Sequence, residues 1–190
     1  MVASWTQNIS ELNTILKNMS VSDKSGNTID NETAFRLWKE KTLEIKTRDK
    51  TIYFVGNGAS ASLASHFSAD TAKNGGIRTR VFTDLSLITA IANDISYEEV
   101  FAEPLRWYMK KGDMLVSISS SGNSPNVVRA VKIAGSLGGI VITLSAMGEN
   151  NETRKMGDLN FYISAQTYGL AESAHAVILH HWMDCIESTG

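Results

Sequence analysis

Twice in this chain a short apolar run stops at a loop of glycine, asparagine and serine, and that loop opens into a helix-forming stretch. The first case is Thr51 to Val55 followed by Gly56-Asn57-Gly58-Ala59-Ser60. The second is Met114 to Ser119 followed by Ser120-Ser121-Gly122-Asn123-Ser124-Pro125. A strand that turns into a helix over small residues is the repeating unit of parallel α/β sheets. The rest of the chain continues the alternation. Ser60 to Asn74 reads as a helix capped by Gly75 and Gly76, and residues 78–83 as a strand. Residues 86–92 and 97–110 read as helices, with Pro104 opening or kinking the second. A helix from about Pro125 to Ser136, strands at Gly139 to Ser145 and Leu159 to Ser164, and a last helix from about Ala171 to Glu187 complete the pattern. The expected class is α/β, a doubly wound, mainly parallel five-stranded sheet flanked by helices.

Ahead of this core, Trp5, Ile9, Leu12, Leu16 and Met19 fall at helical spacing. Residues 20–31 are polar and read as a loop, and a second helix runs from about Glu32 to Thr47. The 190 residues suit one domain, with an N-terminal helical segment at 1–48 and an α/β core at 49–190. A formal net charge of -2 with no basic block argues against nucleic acid as a partner. No apolar run approaches the ~18 residues of a membrane span. The N-terminus MVASWTQNISELNTIL lacks the basic and apolar regions of a signal peptide. The single cysteine, Cys185, rules out an internal disulfide and a cysteine-rich zinc site, and reads as helix packing. A cytoplasmic protein is the expectation.

In open α/β sheets ligands bind beyond the carboxyl ends of the strands, where both small-residue loops must lie. Small side chains let backbone approach closely, and the N–H groups at a helix start attract an anion. Ser119, Ser120, Ser121 and Ser124 add hydroxyl donors suited to a phosphate. Each loop also has a plainer role, with Gly56 and Gly58 serving a tight turn and Ser121 or Ser124 an N-cap. Nucleotide readings fit poorly. Gly56-Asn57-Gly58-Ala59-Ser60-Ala61 lacks the third glycine of a dinucleotide fingerprint, and no Walker lysine is present.

A second constellation carries proton or metal chemistry. His66 and Asp70 lie four apart on the helix after the first loop, hence on one face. Glu172 and His180 sit on the last helix, about 80° apart around the axis and ~12 Å along it. They share a site only if another helix or another subunit fills the space between. Two histidines and two carboxylates suit Zn²⁺, or proton transfer between adjacent carbons of a sugar. Plainer roles exist here too: a hydrogen-bonded His66, an Asp70–Lys73 pair, and a Glu172 favoured by the dipole of a helix first turn. His175 and His181 read as packing or surface residues.

Four stretches occur in one order: Gly56-Asn57-Gly58-Ala59-Ser60, His66-Phe67-Ser68-Ala69-Asp70, Thr89-Ala90-Ile91-Ala92-Asn93-Asp94 and Ser117-Ile118-Ser119-Ser120-Ser121-Gly122-Asn123-Ser124. Together they resemble the SIS-domain phosphoheptose isomerases, which act on sedoheptulose 7-phosphate, over roughly Lys50 to Glu187. The resemblance implies a flavodoxin-like fold and a homotetramer with active sites at subunit interfaces. It implies an aldose–ketose isomerisation through an enediol, giving D-glycero-D-manno-heptose 7-phosphate for surface polysaccharide, with no nucleotide cofactor. Substrate contacts are implied for Asn57, Gly58, Ala59, Ser60, Asn93, Asp94, Ser119, Ser120, Ser121, Ser124 and Glu172. His66, Asp70, Glu172 and His180 are implied as zinc ligands, with Asp70 as base and His180 as its acid/base partner. Two residues depart from the family, which usually has Glu at the position of Asp70 and Gln at that of Glu172. The Asp70 carboxylate sits about 1.5 Å nearer the backbone, and misplacement near 1 Å can cost ~100-fold in rate. A sugar-phosphate sensor without catalysis, or an adapter that binds a replication initiator, are the alternatives those departures leave open.

Overall fold

In the computed structural model, which describes residues 4–187, strands and helices alternate along most of the chain. The elements are α1 (Trp5–Lys17), β1 (Ser20–Asp23), β2 (Thr28–Ile29), α2 (Asn31–Thr47), β3 (Thr51–Gly56) and α3 (Ala59–Lys73). They continue with β4 (Arg78–Val81), α4 (Leu85–Asp94), α5 (Ala102–Tyr108), β5 (Met114–Ser119), α6 (Pro125–Ser136), β6 (Ile140–Ala146), β7 (Leu159–Ile163) and α7 (Tyr168–Glu187). Strand order in the sheet is β2-β1-β7-β6-β5-β3-β4. From β4 to β7 every pairing is parallel, and these five strands have the flavodoxin-like order. β5 lies between β3 and β6 and is buried at all six positions, as a strand covered on both faces must be.

The sheet has seven strands rather than five, and the N-terminal segment is not purely helical. Residues 20–31, expected as a loop, include a hairpin whose β1 adds antiparallel to β7, with Val21 opposite Phe161. The turn is tied by Asp23, whose Oδ1 accepts from the N–H groups of Ser25 at 2.8 Å and Asn27 at 2.9 Å. Val21 and Ile29 are the only apolar residues in the two strands. Their alternation is too short to register as a sequence pattern, and the β7 edge supplies the pairing.

One core lies between the sheet and α1, α2, α3 and α7, and a second between the sheet and α4, α5 and α6. In the first, Trp38 stacks on Trp182 with ring centroids 4.6 Å apart, and the Trp182 indole donates to Thr42 Oγ1 at 3.1 Å. Pro104 falls in the first turn of α5 and opens the helix rather than kinking it. Cys185, expected in the core, is half-buried on α7 with its sulfur 3.7 Å from His181 Nε2. Among the described residues no helix is long and apolar enough to cross a membrane.

Candidate active site

Strands β3 and β5 are neighbours, with Gly56 opposite Ile118, so the two small-residue loops emerge side by side. Each depends on a glycine. A Cβ on Gly56 would lie 2.8 Å from the backbone of Ser60, so only glycine lets α3 begin so close to its strand. Gly122 has φ +63°, and a Cβ there would lie 2.1 Å from Asn151 Oδ1. Asn151 is buried under the serine loop. Its Oδ1 accepts from the Arg154 N–H at 3.0 Å, and the Thr153 N–H donates to the Gly122 carbonyl at 3.0 Å.

Both helices start without a side-chain cap. Gly58 takes the N-cap position of α3, and Ser124 that of α6 with its hydroxyl making no capping bond. Pro125 has no N–H, the Val127 N–H donates to Asn126 Oδ1 at 3.0 Å and that of Ser60 to the Asn57 carbonyl at 3.0 Å, so among the first residues of the two helices the N–H groups of Ala59 and Asn126 stay available to an anion. Ser119 Oγ accepts from the Gly122 N–H at 3.1 Å, and Ser121 Oγ from that of Asn123 at 3.2 Å. A hydroxyl that accepts through a lone pair keeps its proton to donate. Between the loops lies a cavity of about 260 Å³. Asn57, Gly58, Ala59 and Ser60 line one side and Ser119, Ser120, Ser121 and Ser124 the other, with Tyr168 and Glu172 reaching in from the start of α7. Because α7 begins at Tyr168, Glu172 stands beyond the first turn, and the first-turn dipole does not account for it.

Helices α3 and α7 both start at this cavity. On α3, Ala59, Ser62, His66 and Asp70 succeed one another at intervals of three and four residues, which makes one stripe. Glu172, Ala176 and His180 do the same on α7. The stripes meet at their far ends, where the His66 and His180 rings are 5.6 Å apart and both pack edge-on to Phe67. His66 Nε2 lies 3.2 Å from Asp70 Oδ2, so the partner of Asp70 is His66 and not Lys73. His66 is half exposed, with 51% of its side chain accessible, so this end of the groove is open in the single chain. Asn93 and Asp94 end α4, exposed and outside the cavity lining, with the Asn93 amide donating to Asp94 at 2.8 Å.

His175 is fully buried on the inner face of α7, and neither ring nitrogen has a hydrogen-bond partner. Burial pushes its pKa down to about 4. The Ser145 backbone is close enough to oppose that shift but not aligned to bond. His181 is exposed and edge-on to Phe35. Tyr168, Asn126 and Asn151 shape the site without having stood out in the sequence. Asn126, at the second position of α6, offered one faint signal: a polar residue among apolar ones at a helix start.

A family model described as the SIS domain matches residues 31–146. The phosphoheptose isomerase of Helicobacter pylori (strain Shi470) is 38% identical over 143 residues, covering 72% of this chain and 73% of its own. This chain belongs to the SIS-domain phosphoheptose isomerase family. The phosphoheptose isomerase of Halorhodospira halophila is 34% identical over 149 residues, covering 74% of this chain and 75% of its own. The structure of the phosphoheptose isomerase from Neisseria gonorrhoeae superposes with a TM-score of 0.77 at 29% identity, covering 96% of this chain and 92% of that one.

The donor types of His66, Asp70, Glu172 and His180 suit zinc. Among the described residues, however, no three His, Cys, Asp or Glu side chains gather closely enough to hold a metal. Glu172 stands with the serine loops, two turns of α7 from His180. The four residues of one chain therefore do not fit a single ion.

Proposed function

We propose that this phosphoheptose isomerase family member converts sedoheptulose 7-phosphate to D-glycero-D-manno-heptose 7-phosphate, binding the phosphate between the serine loops. The observation that carries the reading is the groove along α3 and α7, with an anion cradle at one end and a His/Asp set at the other. From Ser60 to His66 the groove runs ~9 Å along α3. A seven-carbon chain with a terminal phosphate spans roughly 10 Å when extended, given bonds of about 1.5 Å. One substrate can thus seat its phosphate at Ser119, Ser120, Ser121 and Ser124 and bring C1 and C2 to the histidines.

There Asp70 takes a proton from C1, leaving a cis-enediol, and after exchange with solvent its carboxyl delivers a proton to C2. His66, at 3.2 Å from Asp70, fixes the carboxylate. His180 moves the hydroxyl proton between O1 and O2, so that a C1 aldehyde replaces the C2 ketone. Asn57, Gly58, Ala59 and Ser60 hold the phosphate end, and Asn93, Asp94 and Glu172 contact hydroxyls of the sugar. The open groove is what a second copy would cover, and Trp5 and Ile9 on α1, 76% and 44% exposed, offer an apolar face for assembly. A homotetramer in the cytoplasm, supplying heptose for surface polysaccharide, belongs to the same proposal. Zinc belongs to it only as an ion shared between copies. Sedimentation velocity tests the assembly, and a lone 20.8 kDa species would contradict it.

The activity test follows aldose formation from sedoheptulose 7-phosphate by NMR, with and without added zinc. Turnover that Asp70→Asn and His180→Gln each reduce at least 100-fold is the expected result. Tight binding with no turnover in either condition would replace the isomerase by a sugar-phosphate sensor.

A further inference from the structure

Asn57 lines the phosphate cavity, yet its side chain is mostly committed elsewhere. Its Nδ2 donates to Asn126 Oδ1 at 2.9 Å, and Asn126 Nδ2 donates back to Asn57 Oδ1 at 2.9 Å. The two residues are 69 positions apart, Asn57 in the loop before α3 and Asn126 in the first turn of α6, so this reciprocal pair joins the start of α3 to the start of α6. Asn126 is 2% exposed. Its Oδ1 also accepts from the Val127 N–H at 3.0 Å, which fixes which end of its amide is oxygen and hence the sense of the whole pair. The Tyr97 hydroxyl adds a third link, donating to Asn57 Oδ1 at 3.3 Å. The Asn57 oxygen is therefore taken twice over, and what remains of that side chain is one amide hydrogen on Nδ2.

We infer that Asn126 is a positioning residue for phosphate recognition. It sets the spacing of the two anion-binding loops and turns Asn57 into a pure hydrogen-bond donor toward the cavity. Without it, Asn57 is free to rotate and present its carbonyl oxygen, which repels a phosphate oxygen. The inference rests on the phosphate reading of the cavity and deepens it.

The test reads inorganic phosphate binding by calorimetry, which needs no turnover, on the full chain and its variants. Asn126→Ala is expected to weaken phosphate at least tenfold, with a matching rise in KM for sedoheptulose 7-phosphate and a smaller change in kcat. Asn57→Ala should weaken it to a similar extent, and the double variant no further, because the pair acts as one unit. Losses that multiply in the double variant, or unchanged phosphate affinity in a folded Asn126→Ala protein, would overturn the inference.

Asn126→Asp keeps the shape and serves if alanine unfolds the loop. Its ionised carboxylate cannot donate to Asn57 Oδ1, whereas the protonated acid both donates and accepts. Its deficit relative to wild type, compared at each pH, should shrink as pH falls. A deficit constant with pH would count against the pair. If wild type binds no phosphate at all, the cavity reading itself fails and takes this inference with it.

Discussion

Gly122 shows how little freedom the serine loop has. Its positive φ and its contact with Asn151 leave no room for a side chain, and Asn151 is itself held by Arg154, Ser145 and Gly148. Gly122→Ala is expected to cost about 2–3 kcal/mol in urea denaturation and to weaken inorganic phosphate more than tenfold. His175 makes a different kind of prediction. Its folded pKa, about 4, lies below the unfolded value near 6.5, so the unfolded chain binds the extra proton between those two pH values. Stability is full above pH 6.5 and falls on acidification towards pH 4, by about 3 kcal/mol from this residue. His175→Leu, similar in size and without the orphaned nitrogens, should flatten that part of the pH profile. An unchanged slope would show that other groups carry it. At this scale the sequence was legible where chemistry is local: the glycines, the serine hydroxyls and the His66–Asp70 pair all follow from spacing. Asn126 and Asn151 were not, because a buried asparagine is defined by partners far away in the chain.

The elements were mostly readable, since strands ending in small residues and helices of 3.6-residue period leave strong patterns. Met114 to Ser119 and Pro125 to Ser136 emerged with the boundaries read from sequence. The β1–β2 hairpin did not, because its pairing energy comes from the β7 edge. Nor did the early start of α7, which carries Tyr168 into the cavity. Between α4 and α5 the chain makes a short 3₁₀ turn at Tyr97–Glu99, and this turn holds Tyr97 against Asn57. Glu99 anchors it, accepting from Arg106 Nη1 at 2.8 Å and from Arg129 Nε at 2.7 Å. Burial alone raises its pKa, but the bonds and charges of Arg106 and Arg129 outweigh that and hold the carboxyl below its ordinary value. Glu99→Ala leaves both guanidinium groups without this partner. It should cost about 2 kcal/mol in urea denaturation and raise KM through Tyr97 and Asn57. A loss of stability with KM unchanged would separate this turn from the phosphate site.

At the scale of the molecule, the sheet puts the two small-residue loops side by side at the carboxyl ends of β3 and β5, and α3 and α7 carry His66, Asp70 and His180 away from them. Sequence spacing showed that Glu172 and His180 could not meet on one helix without help. In the structure Glu172 lines the cavity between the loops and His180 lies beside His66 at the other end of the groove. What the single chain leaves open, one wall of that groove and any shared metal site, is what an assembly of copies would provide. A groove that isomerises a heptose phosphate exchanges a proton at C1 and C2. This exchange is tested most directly by incubating the protein with sedoheptulose 7-phosphate in D₂O, with and without zinc, and reading C1 and C2 by NMR. The expected product is an aldose 7-phosphate carrying solvent deuterium at C2, with exchange lost in Asp70→Asn. Unchanged ketose, with no deuterium at C1 and no aldose in either condition, would contradict it.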